Sequence, residues 1–332
     1  MRSVLPAACC AFLLAGATYA AVGVTGAGVL LEPLSVRPAG LGEAYTAEGG
    51  TVEAIGYNPA GLAGLAGVEG TALVRQGFAG DTFASVLGGG TIREFGFGAG
   101  VAYLTTGSVE QIDPTGRLST VVGQSDLVGI AGLAREVPGT PLLLGLSGTV
   151  IRSQLLEASA ATDFGADFGA QVVLPRAGLR LGASLQHWGG HLRYEDARIP
   201  VDNNDLPLLV RFGAALAVAI PVGGSTIGSL ESLESADIRE SPPPHVGRVY
   251  ADAILRRAEN AVAYAGGLEY VYAGLVSLRG GYRILASGGA GRDTAWTFGA
   301  GIAFAGLRVD YAAEMLSFTA LHRIGLTVSP KR

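Results

Sequence analysis

The chain has 332 residues, 49% of them apolar, with 52 glycines, 15% charged residues and a formal net charge of −5. That much apolar sequence with so little charge excludes a disordered chain. It also excludes a nucleic-acid binder, which needs clustered basic residues, because Lys331 is the only lysine and the arginines are dispersed.

Arg2 is followed by an apolar run, Val4 to Ala17, that ends in small residues with Thr18-Tyr19-Ala20 as a cleavage tripeptide. Residues 1–20 therefore read as a secretory signal peptide. The run is shorter than the roughly 20 residues that a bilayer-spanning helix requires. Cys9 and Cys10, the only cysteines, leave with the signal, so the mature chain would have no disulfide, thiolate metal site or Cys nucleophile.

Residues 21–67 precede any regular pattern. Asn58-Pro59 stops what comes before and turns the chain. Ala60 to Gly67 are small apolar residues that would fit inside a narrow barrel mouth.

From residue 68 onward the hydrophobic period is two. Trp296, Phe298, Ile302 and Phe304 alternate with Thr297, Gly299, Gly301 and Ala303; Leu179, Leu181, Ala183 and Leu185 alternate with Arg180, Gly182, Ser184 and Gln186. Such strands suit either a soluble sandwich or a membrane barrel with its apolar face in lipid. Three features favour the barrel. The segments are long enough for the roughly 9–11 residues of a tilted spanning strand. The polar face carries Gly, Ala, Ser and isolated charges, where a water-exposed face would carry many Lys and Glu. Aromatics such as Trp296, Phe304, Tyr282 and Tyr103 fall toward segment ends, as in interfacial girdles.

Segments at 68–78, 83–92, 94–105, 124–136, 141–152, 162–173, 178–188, 207–220, 248–258, 261–270, 274–285, 294–305, 306–316 and 319–329 give about fourteen strands. The expected fold is an all-β transmembrane antiparallel barrel over 68–332, closed because an open sheet edge in lipid leaves backbone groups unpaired. With the signal peptide, this places the protein in a bacterial outer membrane, with lipid as its surroundings. Short links such as Val137-Pro138-Gly139, Pro175-Arg176-Ala177 and Ala305-Gly306 alternate with longer ones at 106–123, 153–161, 189–206 and 286–293, the pattern of periplasmic turns and extracellular loops. Residues 221–247, Ser-rich and acidic and then Ser241-Pro242-Pro243-Pro244, fall on the short-turn side and read as an insertion.

Alternation projects Asp163, Asp167, Arg180, Glu269, Arg279, Arg283, Arg308 and Asp310 inward, where each needs a partner or water. They serve either as salt bridges that stiffen the barrel or hold a plug, or as the lining of a substrate path. Other chemistry is sparse. His187-Trp188-Gly189-Gly190-His191 offers two imidazoles, but the Gly-Gly pair disfavours a helix and no further ligands complete a metal site, so both read as loop histidines. Gly88-Gly89-Gly90 and the glycines of 96–100 have no following helix and read as small lumen-facing residues rather than phosphate loops. No nucleophile elbow is present, and no cofactor or enzymatic activity is expected.

The entry segment, "RPAGLGEAYTAEGGTVEAIGYNPAGLAGL" (37–65), resembles that of the PorV/PorQ family of outer-membrane proteins, a branch of the FadL-like fourteen-stranded barrels. The matching residues are Arg37, Gly40-Leu41-Gly42, Ala44-Tyr45-Thr46-Ala47 and Tyr57-Asn58-Pro59-Ala60-Gly61-Leu62. Further blocks at 161–170, 179–190, 206–216, 266–284, 298–312 and 321–328 follow in the family's order. Departures are Gly50-Thr51 in place of paired acidic residues, Gln186-His187-Trp188-Gly189 in place of Gln-Asn-Leu-Gly, and a C-terminus lacking the usual terminal aromatic. The resemblance implies a non-enzymatic barrel of type IX secretion, its lumen plugged by residues 21–67. Its partners would be the translocon and the C-terminal signal domains of secreted cargo. The alternative is a FadL-like channel for hydrophobic small molecules, with the entry segment as a hatch and a lipid-like ligand in the lumen.

Overall fold

The computed structural model describes residues 27–77, 80–112, 116–156, 159–194, 205–220, 245–257, 260–286, 292–317 and 319–329. The expected signal peptide and most of the expected insertion at 221–247 lie outside them.

Sixteen strands follow a short N-terminal run of 3-10 turns and one α-helical turn. They are β1 (Glu69–Gln76), β2 (Thr82–Ile92), β3 (Phe95–Thr105), β4 (Ser108–Ile112), β5 (Leu118–Val122), β6 (Gln124–Glu136), β7 (Leu142–Leu155) and β8 (Ser159–Leu174). The remainder are β9 (Leu179–Trp188), β10 (Leu209–Ala219), β11 (His245–Arg256), β12 (Ala261–Tyr272), β13 (Val276–Ala286), β14 (Arg292–Phe304), β15 (Leu307–Met315) and β16 (Ala320–Val328). Fourteen of them form a closed antiparallel barrel in sequence order, sealed where β1 pairs with β16.

One finding adds to the sequence reading and one corrects it. The long link at 106–123 contains a separate two-stranded sheet, β4 with β5. Residues 245–247 belong to β11 and are not part of the insertion. Ala219 and His245 both lie at the barrel end that carries the tight turns. One of these turns, Ala305-Gly306, has both residues at positive φ, as a two-residue hairpin with right-handed strand twist needs. By turn length this end is periplasmic and the opposite end extracellular.

Alternation sets the two faces. On β15, Leu307, Val309, Tyr311 and Met315 are exposed on the outside, while Asp310, Ala312 and Glu314 are buried inside. Among the described residues no helix is long and apolar enough to cross a membrane. The apolar outer face is what lipid demands of a strand whose backbone groups are already paired.

Candidate functional site in the barrel lumen

Residues 27–67 lie inside the barrel and meet every strand of its wall. Side-chain or backbone bonds reach β1 (Glu69 to Val52 N), β2 (Ser85 to Leu34 O), β9 (Ser184 to Tyr57 O) and β14 (Thr297 to Gly40 O). The remaining strands are met through further hydrogen bonds, packing and ion pairs. Glycine makes this approach possible: a Cβ at Gly267 on β12 would lie 2.8 Å from Leu41 O, and one at Gly281 on β13 would strike the Leu41–Gly42 backbone. Glycines Gly96, Gly145, Gly169 and Gly182 meet the segment in the same way on β3, β7, β8 and β9. Much of the glycine content therefore serves close backbone-to-backbone packing. Gly89 and Gly98 face inward as expected, whereas Gly88 is exposed on the outer face, correcting its assignment to the lumen.

The Asn-Pro-Ala-Gly-Leu block has a definite role in this packing. Asn58 Oδ1 accepts from Ala60 N at 3.1 Å and so caps the 3-10 turn Pro59–Gly64, whose first position Pro59 fills. Its Nδ2 donates to Thr46 O at 2.9 Å and to Ala170 O of β8 at 3.1 Å, tying turn, segment and wall together. Gly61 is pressed against the earlier part of the segment, since a Cβ there would lie 2.6 Å from Ala54 Cβ. Leu62 is fully buried beside Gly98.

Arg37, at 6% exposure, is the hub of a closed ring of charge. Its Nε and Nη2 donate to the two carboxylate oxygens of Glu269 on β12 at 2.9 and 2.6 Å. Arg279 Nε donates to Glu269 at 2.8 Å and its Nη1 to Asp310 on β15 at 2.7 Å. Arg308 joins Asp310 at 2.6 Å to Glu53 at 2.9 Å. Tyr45 closes the ring by donating to Glu53 at 2.9 Å while accepting from Arg37 Nη1 at 2.8 Å. Glu48 and Arg248 add an acid and a base, so four arginines face four carboxylates. Burial disfavours the Arg37 cation, but Glu269, Tyr45, Tyr250 and Glu48 outweigh it and hold its pKa well above the ordinary value. Burial pushes the Tyr45 phenol up, against the pull of Arg37 and with a further push from Glu53 and Glu48, so it stays a donor.

A second chain runs Asp81, Arg75, Glu32, Arg323, Glu314, Arg283, Glu43 and Arg211, again with signs alternating. Its links are 2.5 to 3.4 Å except the long Arg211–Glu43 contact at 3.9 Å and the close Arg283–Glu43 pair. On the remaining wall, Asp252 accepts from Tyr45 N, Thr46 N and Thr46 Oγ1.

Of the eight charges read as inward, Glu269, Arg279, Arg283, Arg308 and Asp310 join these two networks. Arg180 lies beside Gly49 of the segment. Asp167 is buried and accepts from Ser147 Oγ at 2.8 Å and His187 N at 2.6 Å. Asp163 serves the extracellular end instead, accepting from His191 N. His187 is a buried strand residue at the end of β9, not a loop histidine, with Nδ1 3.1 Å from Pro207 O. Sequence reading missed Glu32, Glu43, Glu48 and Glu53, the acidic partners on the segment itself. It also missed Arg75, Arg248, Asp252, Glu314 and Arg323, which the two-residue period would have placed inward.

The extracellular third of the lumen carries an apolar cluster beside the buried Arg75 and Asp126 and the partly buried Asp163. Phe83, Val128 and Ile151 line it with partly buried Leu104, and Leu192 and Leu206 of the β9–β10 link are buried over it. Val29 and Leu34 of the N-terminal segment pack into this cluster.

No family model matches the chain, and no curated protein matches it. Its fold is similar to solved structures. The CymD monoaromatic hydrocarbon channel aligns with a TM-score of 0.57 at 12% identity, over 91% of this chain and 99% of that one. The Pseudomonas putida toluene transporter TodX aligns at 0.58 and 13%, over 92% and 98%. A Pseudomonas aeruginosa FadL homologue aligns at 0.50 and 11%, over 94% and 99%. The chain thus has the fold of the FadL-like fourteen-stranded barrels, and its place is the bacterial outer membrane.

Proposed function

We propose that this protein is a channel admitting hydrophobic small molecules through the outer membrane, with residues 27–67 as the hatch that closes it. The observation that carries this reading is the apolar cluster at the extracellular end of the lumen. A hydrophobic solute reaching the extracellular end finds Leu192, Leu206, Ile151 and Phe83 in one apolar cluster, set above the Arg37–Glu269 ring. Desolvating such a solute there is favourable, at roughly 25 cal/mol per Å² of apolar surface removed from water. The likeness in fold to a monoaromatic hydrocarbon channel and a toluene transporter supports it.

Uptake of labelled toluene by cells that lack a channel of their own tests the reading. Expression should raise uptake, and Ile151→Glu, which places a charge in the apolar cluster, should reduce it while the barrel still shifts on heating in gels. Uptake equal to that of cells carrying no barrel would overturn it.

A carrier role in type IX secretion rests on the PorV/PorQ-like sequence blocks and on a lumen filled by residues 27–67. None of the comparisons supports it. Affinity isolation in mild detergent separates the two roles: translocon or cargo proteins recovered with the barrel favour the carrier, a bound apolar ligand the channel.

A further inference from the structure

The outer face carries a groove that neither the channel nor the carrier reading uses. Gly88, Ala99, Ala131, Gly148 and Ala166 are paired in one row across β2, β3, β6, β7 and β8, and the row ends at Trp188 of β9. All face outward, and nothing lies within 4 Å of where a Cβ on Gly148 would sit. The row on the periplasmic side is bulky: Phe97, Leu133, Leu146 and Phe168, all exposed. On the extracellular side Val86, Val101, Val150 and Phe164 form the opposite wall, interrupted between Val101 and Val150 by Gly129. The notch opens into a cleft of about 430 Å³ bordered by Gly129, Ala131, Gly148, Val150 and Phe164. From the notch on β6 the floor runs three inter-strand spacings to Trp188, roughly 14 Å, enough to take the lower part of an extended acyl chain.

An independent feature stands above the notch. Arg152 is the next outward residue after Val150 on β7, paired across to Leu127 and Thr162 near the extracellular end. It is exposed, and among the described residues no carboxylate pairs with it. A lone cation on the lipid side of a spanning strand is costly unless an anion meets it at the interface. We propose that the groove binds a phosphorylated lipid of the outer leaflet, its phosphate on Arg152 and one acyl chain passing through the Gly129 notch to lie along the small-residue row. The membrane already covers this face; the register of the three rows and the unpaired arginine make one lipid bind in preference to the rest.

The chain's two tryptophans provide the test. With Trp296→Phe, Trp188 at the groove's end is the only tryptophan, selected by excitation at the red edge, and with Trp188→Phe, Trp296 on β14 reports ordinary lipid contact. The protein is reconstituted in phosphatidylcholine vesicles containing a minor fraction of phosphatidic acid, with mid-chain bromine on one lipid or the other. Phosphatidic acid should be favoured over phosphatidylcholine about fivefold in quenching Trp188, the effect of one arginine beside a charged lipid. Arg152→Gln should abolish that preference, Gly129→Leu should close the notch and lower quenching, and Trp296 should show no preference. Heat-modifiable gel mobility verifies that each variant is folded. Equal quenching of Trp188 by both lipids, or a preference that survives Arg152→Gln, would overturn the proposal. So would Trp188 shielded from both quenchers by a second copy of the barrel.

Discussion

Arg37 and Glu269, 232 residues apart in the chain, form a two-pronged ion pair inside the barrel. Three arginines, Arg37, Arg248 and Arg279, converge on this one carboxylate, which is 3% exposed. Glu269→Gln should therefore cost about 3–5 kcal/mol, because it leaves buried cations short of their counter-ion. The double variant Arg37→Leu with Glu269→Leu should recover part of that loss. A double-mutant cycle on urea unfolding in lipid vesicles measures the coupling; additive losses would mean that the pair does not hold the segment to the wall.

Gly280 and Gly281 are neighbours on β13 with opposite fates. A side chain at Gly281 would collide with the Leu41–Gly42 backbone, whereas a Cβ at Gly280 has nothing within 4 Å. Gly281→Val should destabilise by about 1–3 kcal/mol or more through overpacking. Gly280→Val, on the lipid side, should stay within about 0.5 kcal/mol of the parent. Protease sensitivity of residues 27–67 in the folded barrel is the sharper readout: it should rise only for Gly281→Val. Equal sensitivity in both variants would place the segment elsewhere.

Phe298 is 54% exposed on the outer face of β14, between the inward Thr297 and Gly299. Phe298→Arg should cost about 2–4 kcal/mol, the penalty for a cation near the bilayer midplane. The same measurement on Thr297→Val, which loses the bond to Gly40 O, should give about 0.5–1.5 kcal/mol. Reversal of that order would invert the two faces of the strand.

Lipid on one side is why so much of the barrel was legible. A strand in hydrocarbon must be apolar at alternate positions, so β14 and β15 declare both their extent and their faces. The hairpin of β4 and β5 was not legible, because Ile112 and Leu118 are exposed in a segment where water, not lipid, surrounds both faces and no alternation is enforced. The wall half of the charge networks followed from alternation, as Arg279 and Asp310 illustrate. The segment half did not, since residues 27–67 have no regular period from which a face for Glu43 or Glu53 could be assigned. Gly88 was misplaced for a related reason: a residue with no side chain carries no polarity to mark the side it faces.

The hatch reading makes its strongest prediction through charge. Deleting residues 37–62 removes one arginine, Arg37, and three glutamates, Glu43, Glu48 and Glu53. The wall partners of Glu43 and Glu53, namely Arg211, Arg283 and Arg308, stay behind, so the emptied lumen gains net positive charge. Rings of arginine favour anions in a water-filled pore. Single-channel recording on the deleted barrel in planar bilayers should therefore show a marked rise in conductance over the intact protein, and a KCl gradient should give a reversal potential of anion-selective sign. Unchanged conductance would mean that residues 37–62 do not close the pore. An open but cation-selective pore would mean that those arginines are neutralised by wall carboxylates alone, and that the glutamates of the segment do not balance them.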